Sequence, residues 1–217
     1  MIKKIINSVL VLFSIATLSS SCSSEDIKHK NDLNKGEPEE RNVKSKIEID
    51  QLHCIGDSIY YKIKDNKPYT GEIYDDTIFI GNAINGKKEG KFYSYNFDGK
   101  IYYEAMYKDG KLNGLSTSYF ENGNIDSESN YKDGKRDGEF KLYLKNGELS
   151  ALWTFKDGIR NGTFKLWNKE GVLITEGTQK NGFPFGIYKE YNEDGSLKYK
   201  ANFDENGEML SCEGECY

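Results

Sequence analysis

Residues 131–140 read YKDGKRDGEF, and close variants of that phrase return along the chain: YKDGKLNGLS from Tyr107, FKDGIRNGTF from Phe155, AINGKKEGKF from Ala83 and QKNGFPFGIY from Gln179. The glycines provide a ruler. Gly86, Gly110, Gly134, Gly158 and Gly182 are spaced by 24, and so are Gly90, Gly114, Gly138, Gly162 and Gly186. A third series, Gly99, Gly123, Gly147, Gly171 and Gly195, keeps the same interval. A fixed period held by three independent glycine classes marks an internal repeat, which has to be recognised before any element is assigned.

Each 24-residue unit contains two short β-prone runs, as in EFKLYLKNG followed by ELSALWTFKDG, and each run closes on Asn-Gly or Asp-Gly. That dipeptide is the strongest short-range hairpin signal, because a two-residue type I′ turn needs positive φ at both positions. The reading is therefore all-β: an elongated antiparallel meander of about five 24-residue hairpin repeats. A one-residue insertion would turn a strand's side chains to the other face, which explains why the period is held. The glycines are backbone devices and not a phosphate cradle, since no helical pattern follows them.

Aromatic residues repeat at half that interval. Tyr95, Tyr107, Tyr119, Tyr131, Tyr143, Phe155, Trp167, Tyr191 and Phe203 lie 12 apart, with Gln179 interrupting the series. Alternate members should form two rows along opposite edges of the ribbon. Ile101, Ile125, Leu149, Leu173 and Leu197 also repeat, and a turn centred between them places each across from Tyr95, Tyr119, Tyr143, Trp167 or Tyr191. Two readings of these rows stand at this point. They are the hydrophobic core, or Tyr95, Tyr119, Tyr143, Trp167 and Tyr191 form an open aromatic ladder that binds a ligand such as a glycan.

The run YKDGKLNG…YFENGNIDSESNYKDGKRDGEFKLYLKNG resembles the variant MORN repeats of bacteria, the type carried by YwqK-like antitoxin proteins. KDNKPYTGEIY at residues 64–74 resembles the opening repeat of such arrays, and the resemblance spans about residues 60–207. It implies a stack of β-hairpins, each resting on the one before, and through the family label an antitoxin or immunity role. Gly71 lies 19 residues before Gly90 where 24 would be regular, so residues 51–85 read as a shortened N-terminal capping repeat and residues 86–207 as the array proper.

The outer segments carry a different message. Lys3 and Lys4 precede an apolar stretch from Ile5 to Leu18 and then LSSSC, so residues 1–21 read as a secretory signal peptide. The apolar stretch is shorter than the roughly 20 residues a spanning helix needs. LSSSC resembles a bacterial lipobox, with Leu18 four residues before Cys22 instead of three. On that resemblance Cys22 is the lipidated first residue of a lipoprotein, anchored to the membrane through its acyl chains; a plain secretory leader cut near the serines is the alternative. Residues 22–50 hold few aliphatics and many charges of both signs, which reads as a disordered tether. Glu25 and Asp26 resemble an export tag for outer-membrane lipoproteins displayed on the cell surface.

Charge and chemistry narrow the function. Two of the 30 basic residues, Lys3 and Lys4, leave with the leader, so 28 face 35 acidic ones and the net charge is −7. Nothing here suits nucleic acid. The 16 tyrosines and 22 glycines against 3 prolines suit a β-rich chain. Cys54 precedes the array and Cys212 follows it, too far apart for a disulfide. Cys212 and Cys216 in CEGECY (residues 212–217, the C-terminal cysteine tail being 208–217) are close enough to pair around Gly214. Cys212, Glu213, Glu215 and Cys216 could offer metal ligands, but no paired histidine supports a metal or cofactor site. His53 beside Cys54 is a weak nucleophile motif, because neighbours on a strand point apart. Glu104, Glu128 and Glu176 recur at the repeat interval and read as a solvated row. The sequence thus favours a cell-envelope scaffold for a protein partner, not an enzyme.

Overall fold

A computed structural model describes residues 45–55 and 59–216. Among them the chain is almost entirely β-strand, with one 3₁₀ turn, Ile49–Gln51. The N-terminal part comprises β1 (Lys46–Glu48), β2 (Leu52–Ile55), β3 (Ile59–Lys62), β4 (Gly71–Asp75) and β5 (Ile78–Ile84). The array follows as β6 (Lys87–Tyr95), β7 (Ile101–Lys108), β8 (Lys111–Tyr119), β9 (Ile125–Lys132) and β10 (Lys135–Tyr143). It continues through β11 (Leu149–Lys156), β12 (Ile159–Trp167), β13 (Leu173–Lys180), β14 (Phe183–Tyr191), β15 (Leu197–Phe203) and β16 (Met209–Gly214). From β4 to β16 every strand pairs antiparallel with the next, so the expected meander is the fold.

The two glycines of the opening phrase have separate tasks. Asp133 and Gly134 both hold positive φ, 50° and 85°, and join β9 to β10 in a two-residue turn closed by the Lys132–Lys135 pair. Asn85, Asp109, Asp157 and Asn181 occupy the same left-handed position in the equivalent turns. The second glycine sits in a bulge: pairing slips by two residues around Gly114, Gly138, Gly162 and Gly186. Gly162 shows why, since a Cβ there would stand 2.8 Å from Thr154 Cβ on the neighbouring strand.

The other half of the turns differs from expectation. Asp98-Gly99 and its equivalents are not two-residue reversals but lie in longer loops, Asn96 to Lys100 in the first. There Gly99 N–H donates to the Asn96 carbonyl, Asn96 N–H donates to the Lys100 carbonyl, and only the glycine has positive φ. Asn96 Oδ1 accepts from the backbone of Asp98 and Lys100, a local bond that competes with a tight turn. The same dipeptide thus serves two turn classes, chosen by what precedes it.

The core also departs from the simple reading. One sheet face, here face A, carries the pairs Phe92–Ala105, Ser116–Ser129, Phe140–Trp153, Phe164–Gly177 and Tyr188–Ala201. These positions repeat at 24, and the rings of Phe92, Phe140, Trp153 and Phe164 are all buried. Of the two aromatic rows expected to form the core, only the row at the type I′ edge joins it. Phe155 packs edge-on against Phe140, Tyr107 against Phe92 and Phe203 against Tyr188. The row Tyr95, Tyr119, Tyr143, Trp167 and Tyr191 lies on the opposite face B and is only half-buried.

At the N-terminal end the β2–β3 hairpin lays Leu52 and Tyr60 over the same face, Tyr60 stacking on Phe92 at 6.3 Å. The segment expected to end a disordered tether at residue 50 contributes to this end from Ser45 onward. There β1 runs parallel to β4, Tyr69 donates from its hydroxyl to the Ser45 carbonyl at 2.7 Å, and Ile47 and Ile49 pack on the N-terminal core. Those two isoleucines supply apolar surface of which the charged sequence before them has little. The expected cysteine tail likewise forms a strand, β16, paired with β15.

A candidate interaction face

Face B is built from the residues that alternate with the core. Its outermost line follows the loop edge, where each aromatic of the half-buried row pairs with an aliphatic of the next strand. The pairs are Tyr95–Ile101, Tyr119–Ile125, Tyr143–Leu149, Trp167–Leu173 and Tyr191–Leu197. The cross-strand pairing expected from the sequence is therefore present, although a one-residue register shift beside every pair was not expected. Laid across β6 to β15, the ten side chains form one continuous stripe of alternating rings and aliphatics. At about 4.8 Å between strands the stripe extends roughly 43 Å.

One pair position inward, acidic residues hold the rings. Tyr143 donates to Glu128 at 2.7 Å and Tyr191 to Glu176 at 2.9 Å, while Tyr119 is hydrogen-bonded to Glu104. Trp167 has no hydroxyl, and the residue 15 places before it is Leu152 instead of glutamate. Tyr95 also lacks that glutamate and donates to the Phe79 carbonyl instead. Lysines complete the row, with Lys91 on Glu104 at 3.0 Å and Lys189 on Glu176 at 2.9 Å. The solvated glutamate row seen in the sequence is thus a set of clamps. A 15-residue offset between glutamate and tyrosine, absent at Trp167, was the available signal.

The clamps shift proton affinities as expected. Burial, then the Glu128 hydrogen bond, pushes the Tyr143 phenol up to about 12. The Lys189 ammonium holds the Glu176 carboxyl below its usual range, with Tyr191 acting in the same direction. Glu176 is thereby held ionised as an acceptor, the opposite of a general acid.

Other sequence candidates are scattered. Cys22 lies outside the described residues. Cys212 and Cys216 are joined by a disulfide on β16 and the chain after it, with Cα atoms 6.2 Å apart, which removes both thiolates as metal ligands. Cys54 is half-buried on β2 against the N-terminal core, and His53 stacks on Tyr61 at 5.6 Å. Among the described residues, no three or more histidine, cysteine or acidic side chains gather as a metal site.

Comparison with known proteins bears on the repeat. Residues 88–109, 112–133, 136–157 and 186–205 match the model of the MORN repeat variant. The unit between them that contains Gln179 falls outside the matches. No curated protein matches the chain. Four of the hairpin units in the β6–β15 array are thus similar to the MORN repeat variant.

Proposed function

We propose that this chain is a cell-envelope lipoprotein, anchored through lipid on Cys22 and oriented to the outer membrane, whose β-repeat array is a non-enzymatic scaffold for a protein partner. The observation that carries the reading is the stripe on face B. Ten half-exposed or exposed apolar side chains in one line exceed what scattered surface residues need, and contiguous apolar surface of that kind marks interaction sites. Clamped phenols favour binding further, because rings already fixed by Glu104, Glu128 and Glu176 lose little rotamer freedom on contact. Tyrosine-rich, pre-ordered surfaces are efficient protein binders for that reason.

Glycan or cell-wall binding is the second reading, supported by the half-exposed rings themselves. It is the weaker one, since three phenols are engaged by glutamates and aliphatics separate neighbouring rings. An immunity role, as the YwqK-like resemblance implies, would use the same face. The test is site-specific photo-crosslinking of the full chain in cells from Leu115 on face B, compared with the variant Tyr119→Ser/Tyr143→Ser. A discrete protein adduct that disappears in the variant supports the scaffold. Retention of the adduct in the variant, or binding to a sugar array abolished by Trp167→Ala, overturns it. Labelling with a fatty-acid analogue, abolished by Cys22→Ser, tests the anchor separately.

A further inference from the structure

Face A has one position per unit beside its aromatic core, next to the type I′ turn, occupied in order by Lys88, Leu112, Arg136, Arg160 and Pro184. The whole sequence contains 27 lysines and only three arginines, and two of the three stand here, one repeat apart. Arginine is therefore placed where lysine serves almost everywhere else. Arg136 lies across from Tyr131, with its guanidinium 4.5 Å from the Phe140 ring centre and 5.6 Å from that of Phe155. Arg160 lies across from the same Phe155, with its guanidinium 5.1 Å from the Trp153 ring centre. Phe155 thus sits between the two cations, and Arg136 leans over it toward Arg160.

Both guanidiniums are half-buried, yet among the described residues neither is hydrogen-bonded or ion-paired to a carboxylate. The nearby acid Asp137 is engaged by Lys156 at 2.8 Å. Arg136 Nε is buried with no acceptor. Ser129, only 4 % exposed and paired with Phe140, also has a buried hydroxyl with no partner. Burial, then the neighbouring Arg136, lowers the proton affinity of Arg160, as two adjacent cations without a counter-ion require. A half-buried charge without a counter-ion costs stability, and the accessible part of each guanidinium is where a ligand can supply one.

We propose that Arg136 and Arg160 form a carboxylate-binding site on face A that receives an acidic peptide segment of a partner. A guanidinium held over a ring keeps a planar N–H fork, the geometry that matches a carboxylate in two parallel hydrogen bonds. The two arginine backbones are two strand spacings apart, about 9.6 Å. Carboxylates two residues apart in an extended chain are separated by about 6.8 Å, and both arginine arms lie over rings of β11, the strand between them, which shortens the span. The site lies on the opposite face from the tyrosine stripe and does not depend on the scaffold reading.

The test uses the full chain without its leader and fluorescence anisotropy of a labelled peptide alternating glutamate and glycine, with a glutamine counterpart and inorganic phosphate as competitors. The glutamate peptide is expected to bind, at least tenfold more weakly to Arg136→Gln/Arg160→Gln, with Arg136→Lys/Arg160→Lys intermediate because charge remains without the planar fork. The face B variant Tyr119→Ser/Tyr143→Ser is expected to bind as the parent does. Equal binding of the glutamine peptide, undiminished binding by the lysine variant, or competition by phosphate as effective as by unlabelled glutamate peptide overturns the proposal. Failure of the glutamate peptide to bind the parent chain overturns it as well.

Discussion

The Tyr143 phenol donates a 2.7 Å hydrogen bond to the Glu128 carboxylate on the neighbouring strand, tying a ring of the exposed stripe to a glutamate one pair position inward. The bond joins two residues 15 apart in sequence, and Tyr191 and Glu176 repeat it two units later. Each clamp therefore acts across a hairpin loop and helps to fix its register.

Removing one clamp should cost little globally and more locally. Tyr143→Phe keeps the ring and its pairing with Leu149 but leaves Glu128 without that donor. In a half-exposed setting the expected loss is about 0.5–1.5 kcal/mol. Because neighbouring units share stability by local terms, the loss should appear mainly in amide exchange of β9 to β11. Uniform acceleration across the array would contradict the local account.

Alkaline pH should act through the same phenol. The Tyr143 value rises from an ordinary 10.0 to about 12 on folding, so the stability it contributes is fully present below pH 10 and is lost as pH climbs through 12. Burial raises the phenols of Tyr103, Tyr188 and Tyr199 in the same direction. Urea midpoints should hold constant to about pH 10 and fall above it, while absorbance near 295 nm shows a late-titrating set of tyrosines. Tyr143→Phe should flatten part of that fall.

Two glycines of positive φ, 85° at Gly134 and 123° at Gly162, should respond unequally to alanine. Gly134→Ala meets no atom within 4 Å and suffers only the left-handed backbone cost, about 1–2 kcal/mol. Gly162→Ala adds a Cβ 2.8 Å from Thr154 Cβ, an atom fixed to the backbone of β11, so that strand has to shift. Its cost should exceed that of Gly134→Ala by at least about 1 kcal/mol. Equal thermal shifts for the two variants would show that the bulge relaxes freely.

The contrast between these glycines indicates what the sequence could disclose. The 24-residue period, the strands and the aromatic–aliphatic pairs were legible because register repeats the same chemistry at each turn. The division between core and surface was less so. Tyr143 and Phe155 belong to one 12-residue series, yet they face opposite sides of the sheet, and Phe140 and Trp153 at the centre of the core fall outside that series. Residues 116, 129, 153 and 177 blur the core series with serine, tryptophan and glycine, so its period is hidden unless the register is known. Asp98-Gly99 and Asp109-Gly110 look alike in sequence but close loops of different length. The arginine site escaped because it depends on which rings the side chains of Arg136 and Arg160 overlie.

Opening the terminal disulfide should affect only the end of the meander. Cys212 and Cys216 close a loop of about five residues, for which the chain-entropy estimate is about 2 kcal/mol. The strand that carries Cys212, β16, has β15 as its partner in the sheet, and its Met209 and Leu210 are exposed. Cys212→Ser/Cys216→Ser should therefore speed amide exchange across β16 and, weakly, β15. Exchange in β6 to β12 should stay unchanged, since each repeat rests chiefly on its neighbours. Global unfolding of the array at the same denaturant concentration as the fraying of β16 would mean that the end strand sets the stability of the whole sheet, against the local additivity on which the account of the repeat depends.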